Sequence, residues 1–152
     1  GTGSQSESQE HPDFRPDRYE AGTLNLHGIA GTWGALHGLP QRGLLGEHKR
    51  QLTQMLLEGL HDVPGVRLQS PADGTALCAS FTLDQLWPDK IAIQLEEQHG
   101  ILCRPGLQCA PAAHGHLGTF PQGTVRLSPG WKNTPEDIEA AIGAVRSIAK
   151  SA

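Results

Sequence analysis

The sequence predicts an α+β fold: a small, mostly antiparallel sheet covered by helices on one face. Three observations lead there. The elements follow the order helix, helix, strand, strand, helix, strand, active loop, strand, helix, which favours a layered α+β arrangement. The chain of 152 residues carries 19 glycines and 11 prolines. That is well above the roughly 12% of an average protein and suits a loop-rich small domain better than a helical bundle. Finally, the strand candidates are short and alternate apolar with polar residues, as strands with one buried face do.

Each element has a local reason. Between His27 and Leu39, the residues Ile29, Ala30, Trp33, Leu36 and Leu39 recur at helical spacing until Pro40 ends the run. A second helix is predicted over Gly43 to His61, with Leu45, Leu52, Met55, Leu56 and Leu60 as its apolar stripe and Pro64-Gly65 as its stop. Val66 to Leu68 is a short strand candidate. Thr75 to Leu83 is a better one, with Leu77, Ala79, Phe81 and Leu83 on one face and Cys78, Ser80 and Thr82 on the other. Pro88 suits a first helical position, Ile91, Ala92 and Leu95 give that helix its apolar side, and Gly100 ends it. The last helix follows Thr134-Pro135-Glu136-Asp137, close to a capping box, and presents Ile138, Ala141, Ile142, Val145 and Ile148 on one face.

Composition narrows the function. A net charge of -4 with no basic run argues against a nucleic-acid partner. No apolar run approaches the roughly 20 residues of a membrane span, and no signal peptide is visible. Three cysteines, Cys78, Cys103 and Cys109, form no disulfide framework, which points to a reducing, cytoplasmic setting. The chain starts abruptly, and we expect it to be part of a longer protein.

The stretch from Ile101 to Gly130 concentrates the chemistry. An apolar run, Ile101 to Cys103, ends in Arg104-Pro105-Gly106, which is expected to break regular structure. A loop carrying Cys109, His114 and His116 is expected next. Thr124 to Ser128 then reads as extended, with Val125 and Leu127 on one face and Arg126 on the other. A thiol and a guanidinium thus meet at one edge of a sheet, a layout for chemistry on a small anion. The His-x-His and Cys-x5-Cys spacings are not those of common structural zinc motifs, so no metal is expected. Cys78 and Cys103, in strand-like contexts, are expected to be core or sheet-face residues.

Arg104-Pro105-Gly106-Leu107-Gln108-Cys109, then Arg126-Leu127-Ser128 and Asn133-Thr134, resembles the C-terminal motif series of the class V aminotransferase family, and within it the cysteine desulfurases. Gly1-Thr2-Gly3-Ser4 is similar to that family's phosphate-contacting turn, and Tyr19-Glu20-Ala21-Gly22-Thr23 to its Glu-Ala-Gly-Thr segment. The resemblance implies the small C-terminal domain of a fold-type I enzyme that uses pyridoxal 5'-phosphate. Residues 26–152 would form that domain, and residues 1–25 an extended segment packed on a large domain that this chain lacks.

By the same resemblance, Cys109 is the nucleophile that takes sulfur from L-cysteine as a persulfide, leaving alanine. Arg126 binds the substrate carboxylate. Arg104 either assists the site or makes a local salt bridge. Thr2 contacts the cofactor phosphate, often of the neighbouring subunit in a homodimer. A sulfur-acceptor protein, of the kind used in iron–sulfur cluster assembly, completes the partners. Many relatives carry His directly before the nucleophile, where this chain has Gln108, so one candidate base is missing. The Schiff-base lysine is expected upstream of this chain, because Lys49, Lys90, Lys132 and Lys150 lack the family's surrounding residues. On its own the chain is therefore expected to be inactive. Two alternatives stay open. One is an aminotransferase or lyase acting on another amino acid, such as selenocysteine; the other is a stand-alone, cofactor-free persulfide-carrying or binding module.

Overall fold

A computed structural model describes residues 7–20, 22–38, 42–71 and 75–151, with the side chains of residues 42–45 left out. The readings made above for Thr2, Ala21, Leu39 and Pro40, and for the side chain of Leu45, lie outside that description. The chain divides into two compact units, Gly1–Pro40 and Gln41–Ala152.

In the first unit, a single 3-10 turn spans Asp17–Tyr19 and helix α1 spans Leu26–Gly38. Asn25 starts α1: its side-chain oxygen accepts the Gly28 N–H at 2.9 Å, satisfying one of the donors that every helix start leaves open. Ile29, Trp33 and Leu36, one turn apart along α1, are exposed.

The second unit contains α2 (Arg42–His61), β1 (Val66–Leu68), β2 (Ala79–Leu83), α3 (Pro88–His99), β3 (Arg104–Gly106), α4 (Pro111–Leu117), β4 (Thr124–Leu127) and α5 (Pro135–Ser151). The four strands form one antiparallel sheet in the order β1-β2-β4-β3. Helices α2 and α3 pack against it, and α5 packs against both α2 and α3. Ala79, Phe81 and Leu83 of β2 and Val125 and Leu127 of β4 face those helices, and none is more than 6% exposed. They meet Leu52, Leu56 and Leu60 of α2, Ile91 and Leu95 of α3, and Ile138, Val145 and Ile148 of α5 in one core. The apolar stripes of α2, α3 and α5 therefore point inward, as burial of a single stripe per helix requires, whereas the stripe read for α1 is exposed.

The caps match their residues. Pro88 opens α3 and Gly100 closes it in the left-handed conformation at φ 66. At the start of α5 the Thr134 N–H donates to Asp137 Oδ2 at 3.0 Å and the Asp137 N–H donates to Thr134 Oγ1 at 3.4 Å. This is the reciprocal pairing of a capping box, with Asp in place of the usual Glu. The Thr134 N–H, with the Asn133 amide, holds the Asp137 carboxyl below its usual range. A depressed carboxyl stabilises the fold above its ordinary pKa of about 3.9 and loses that contribution as pH falls through the lower folded value.

Three expectations require correction. Strand β2 starts at Ala79, and Leu77 is 42% exposed instead of sharing the core face. Ile101 to Cys103 is not a strand, and Arg104-Pro105-Gly106 is one. The Ile101 N–H is spent on the Leu95 carbonyl at the end of α3, and Leu102 is 76% exposed. Pro105 is tolerated in β3 because β3 is an edge strand, where a missing N–H interrupts no inner ladder. Lastly, His114 and His116 lie on helix α4, not in a loop.

Helices α2 and α5 approach closely where Gly59 meets Ile142, and a Cβ at Gly59 would overlap the Ile142 side chain. Gly59→Ala gains about 1 kcal/mol of helix propensity but pays roughly 1–3 kcal/mol of overpacking. We expect the variant to be less stable by about 1 kcal/mol in denaturant unfolding. The same change should cost less in an Ile142→Ala background; additive effects would show that the two helices do not press on each other here.

Candidate active site

The core-facing side of the sheet consumes every second residue of β2 and β4, so the alternate residues must line the other face. Ser80 and Thr82 on β2, and Thr124 and Arg126 on β4, do so. The register places Arg104 directly across from Arg126, and Gly106 across from Thr124. Two guanidinium-bearing residues are therefore cross-strand neighbours on one face, a pairing that is unfavourable without a compensating anion. Among the described residues, the ion pairs of arginine are Arg50 with Glu47 and Arg67 with Asp84; neither Arg104 nor Arg126 has a carboxylate within reach. The Arg126 Nε is buried and has no hydrogen-bond partner. Buried polar groups without a partner are rare, and this one belongs to a planar fork suited to a carboxylate. Arg126 thus sits as expected, opposite the face taken by Val125 and Leu127.

Cys109 follows β3 in a tight turn. The Ala110 N–H closes that turn on the Leu107 carbonyl at 2.9 Å, and both central residues are left-handed, Gln108 at φ 53 and Cys109 at φ 62. Positive φ at both central positions marks a type I′ turn, which normally takes Asn or Gly. For residues with a Cβ, such conformations cost about 1–3 kcal/mol each and persist only when surroundings enforce them. Cys109 is exposed, whereas Cys78 and Cys103 are half-buried, and all three are free thiols. Burial, and then the Glu96 carboxylate, push the Cys103 thiol above its ordinary pKa. From the turn, Arg126 lies two residues in from the start of β4, or about 7 Å along the strand.

Sequence reasoning missed how the turn is held. The Gln108 amide nitrogen donates towards Arg104 O at 3.3 Å, Thr124 O at 3.4 Å and Thr124 Oγ1 at 3.2 Å. Thr124 is only 1% exposed, and its hydroxyl sits 2.7 Å from Ser80 Oγ. The strand alternation does place Thr124 on the face of Arg126, but nothing in the sequence ties either to Gln108. On the other side, α4 is opened by Pro111 and closed by left-handed Gly118, the pattern that could have revealed it. His114 on α4 is buried, with Nδ1 2.7 Å from Thr119 Oγ1. Gly123, at φ 79, lies against Gly106 so closely that a Cβ there would overlap the Gly106 carbonyl. Among the described residues, no group of three or more His, Cys, Asp or Glu side chains is placed to hold a metal.

Pyridoxal phosphate, which the resemblance implies, needs a lysine amine for its Schiff base. Lys90, Lys132 and Lys150 are exposed, and Lys49 is half-buried on α2. These lysines do not fit that role. No helix of the described residues is long and apolar enough to cross a membrane.

Comparison with known proteins gives a consistent result. The family model described as Aminotransferase class-V matches residues 3–141. A probable cysteine desulfurase from Mycobacterium leprae is 34% identical over 137 residues, covering 89% of this chain and 22% of that protein. Among solved structures, the apo cysteine desulfurase from Thermococcus onnurineus NA1 aligns with a TM-score of 0.78 at 30% identity, over 90% of this chain and 34% of that one. The cysteine desulfurase CsdA from Escherichia coli, in an S-sulfonic acid form, aligns with a TM-score of 0.75 at 26% identity, over 89% of this chain and 33% of that one. The chain therefore spans between about a fifth and a third of the length of these relatives.

The three thiols should react in a definite order. Under limiting iodoacetamide near neutral pH, Cys109 is expected to be modified first, because it is exposed and Cys103 holds its proton more tightly. Peptide mapping after a short pulse decides it. Equal labelling of Cys78 or Cys103 would show that the turn gives its thiol no special access.

Proposed function

The chain belongs to the class V aminotransferase family, and from that membership we propose that it is the C-terminal small domain of a pyridoxal-phosphate-dependent cysteine desulfurase. In this reading Cys109 is the sulfur acceptor and Arg126 the anchor for the substrate carboxylate. The observation that carries it is Arg126: a buried, partnerless Nε on the sheet face next to the turn that exposes a thiol. Arg104, directly across from Arg126, adds positive charge to the same patch.

The fork of Arg126 fixes L-cysteine by its carboxylate. The Cys109 thiolate attacks the substrate sulfur, an S–S bond forms, and the substrate C–S bond breaks. Its electron pair passes to the carbon, which takes a proton to give alanine. When bound, pyridoxal phosphate would supply the electron sink for that cleavage, with its Schiff-base lysine coming from outside Lys49, Lys90, Lys132 and Lys150. The exposed turn then offers the persulfide to a sulfur-acceptor protein. Residues 1–25, with Thr2, are assigned to contact with the large domain and the cofactor phosphate. The parent is taken to be a cytoplasmic homodimer; the three free thiols are in keeping with a reducing compartment.

Cysteine-dependent alanine and sulfide release by the cofactor-loaded parent tests the proposal. Arg126→Lys should raise KM for L-cysteine by at least about tenfold, since a point charge replaces a bidentate fork. Cys109→Ala should abolish protein-bound persulfide. Given pyridoxal phosphate and L-cysteine, the 152-residue chain alone should release no alanine. If Cys109→Ala left sulfur transfer at the normal rate, Cys109 would be incidental and a lyase or aminotransferase reading would replace this one.

A further inference from the structure

We propose that Gln108 is a positioning residue: its side-chain amide clamps the left-handed Gln108–Cys109 turn onto β4 and so sets where the thiol is presented. The proposal rests on the reading of Cys109 as the sulfur acceptor. The starting point is that this turn adopts two conformations disfavoured for residues with a Cβ, while the Cys109 side chain itself is exposed. The one backbone bond that closes it, Ala110 N–H to Leu107 O, does not tie the turn to the sheet. The Gln108 amide does. Its three acceptors are two main-chain carbonyls and a hydroxyl, on Arg104 and Thr124.

That set fixes the orientation of the amide. Turning it over would place the amide oxygen against two carbonyl oxygens, so the nitrogen must face them. Two N–H groups serve three acceptors, and Thr124 Oγ1 also shares a hydrogen bond with Ser80 Oγ at 2.7 Å. The clamp therefore ends on β2 and β4, the two strands that carry the buried core pairs. Its individual contacts are long, at 3.2 to 3.4 Å. Such contacts hold a turn in place without welding it, as suits a thiol that takes sulfur on one side and delivers it on the other.

The decisive variant is Gln108→Glu, which keeps size and shape but, when ionised, has no donor and sets a negative charge against three oxygens. Hydrogen–deuterium exchange on the intact protein reads the clamp through the Ala110 amide. Protection there should fall about tenfold near pH 7.5 and recover as pH drops through the carboxyl range, because the protonated acid regains one donor. Protection at Phe81 and Val125 should not change, which controls for folding. Gln108→Leu should lose protection at Ala110 at every pH. In the cofactor-loaded protein, Gln108→Glu should slow persulfide formation on Cys109 while leaving KM for L-cysteine as it was, because Arg126 is untouched. Unchanged Ala110 protection in both variants would overturn the clamp. Lost protection with normal persulfide formation would show that the clamp does not position the thiol. Absence of persulfide on wild-type Cys109 would sink the underlying reading, separately from the exchange result.

Discussion

Strand β4 is hydrogen-bonded on both sides, to β2 along Ala79–Phe81 and to β3 along Arg104–Gly106. Everything else in the second unit depends on that double pairing. One face of β4 must offer Val125 and Leu127 to the helices, and neither is more than 6% exposed. The pleat leaves the opposite face to Thr124 and Arg126, with no freedom to exchange them, since a shift by one residue would invert the whole strand. The core thus decides where the guanidinium stands. The same ladder brings β3 alongside and delivers the Cys109 turn to the start of β4.

The parts legible in the sequence are those governed by local rules. Apolar periodicity located α2, α3 and α5. The pairs Pro88 with Gly100 and Thr134 with Asp137 marked their ends, because caps act over four residues or fewer. The alternation over Thr124 to Ser128 placed Arg126 on the polar face. What stayed hidden depends on neighbours distant in sequence. Arg104-Pro105-Gly106 looks like a break when taken alone and is a strand only because β4 lies beside it as an edge partner. Leu77 fits the alternation of β2, yet pairing ends at Ala79 and Leu77 stays in water. Helix α4 is seven residues long and contains Gly115, too short and too interrupted for periodicity to register. The Gln108 contacts join residues 16 apart and leave no trace in any local pattern.

The candidate site shows how strain and support are divided. The left-handed turn at Gln108–Cys109 presents a thiol that does not pack, and the restraint comes from both flanks. On one flank, Gln108 reaches Thr124. On the other, the buried His114 side chain meets Thr119, whose carbonyl receives the Gly123 N–H at 2.7 Å. Gly123 in turn presses on Gly106, the last residue of β3. The thiol-bearing segment is thus enclosed in a ring of short-range contacts that begins and ends at β3.

The contact between Gly123 and Gly106 also bears on how the chain tolerates change. Residues 118 and 123, both left-handed glycines, are pinned, one by the end of α4 and the other by the β3 backbone. Between them, Phe120, Pro121 and Gln122 are exposed, and their side chains take no part in the ring. A foreign peptide spliced in at that tip would be carried on two anchored stems. The bend between α4 and β4 is therefore a natural graft point, where a reporter or binding epitope could be displayed without disturbing the turn that bears Cys109.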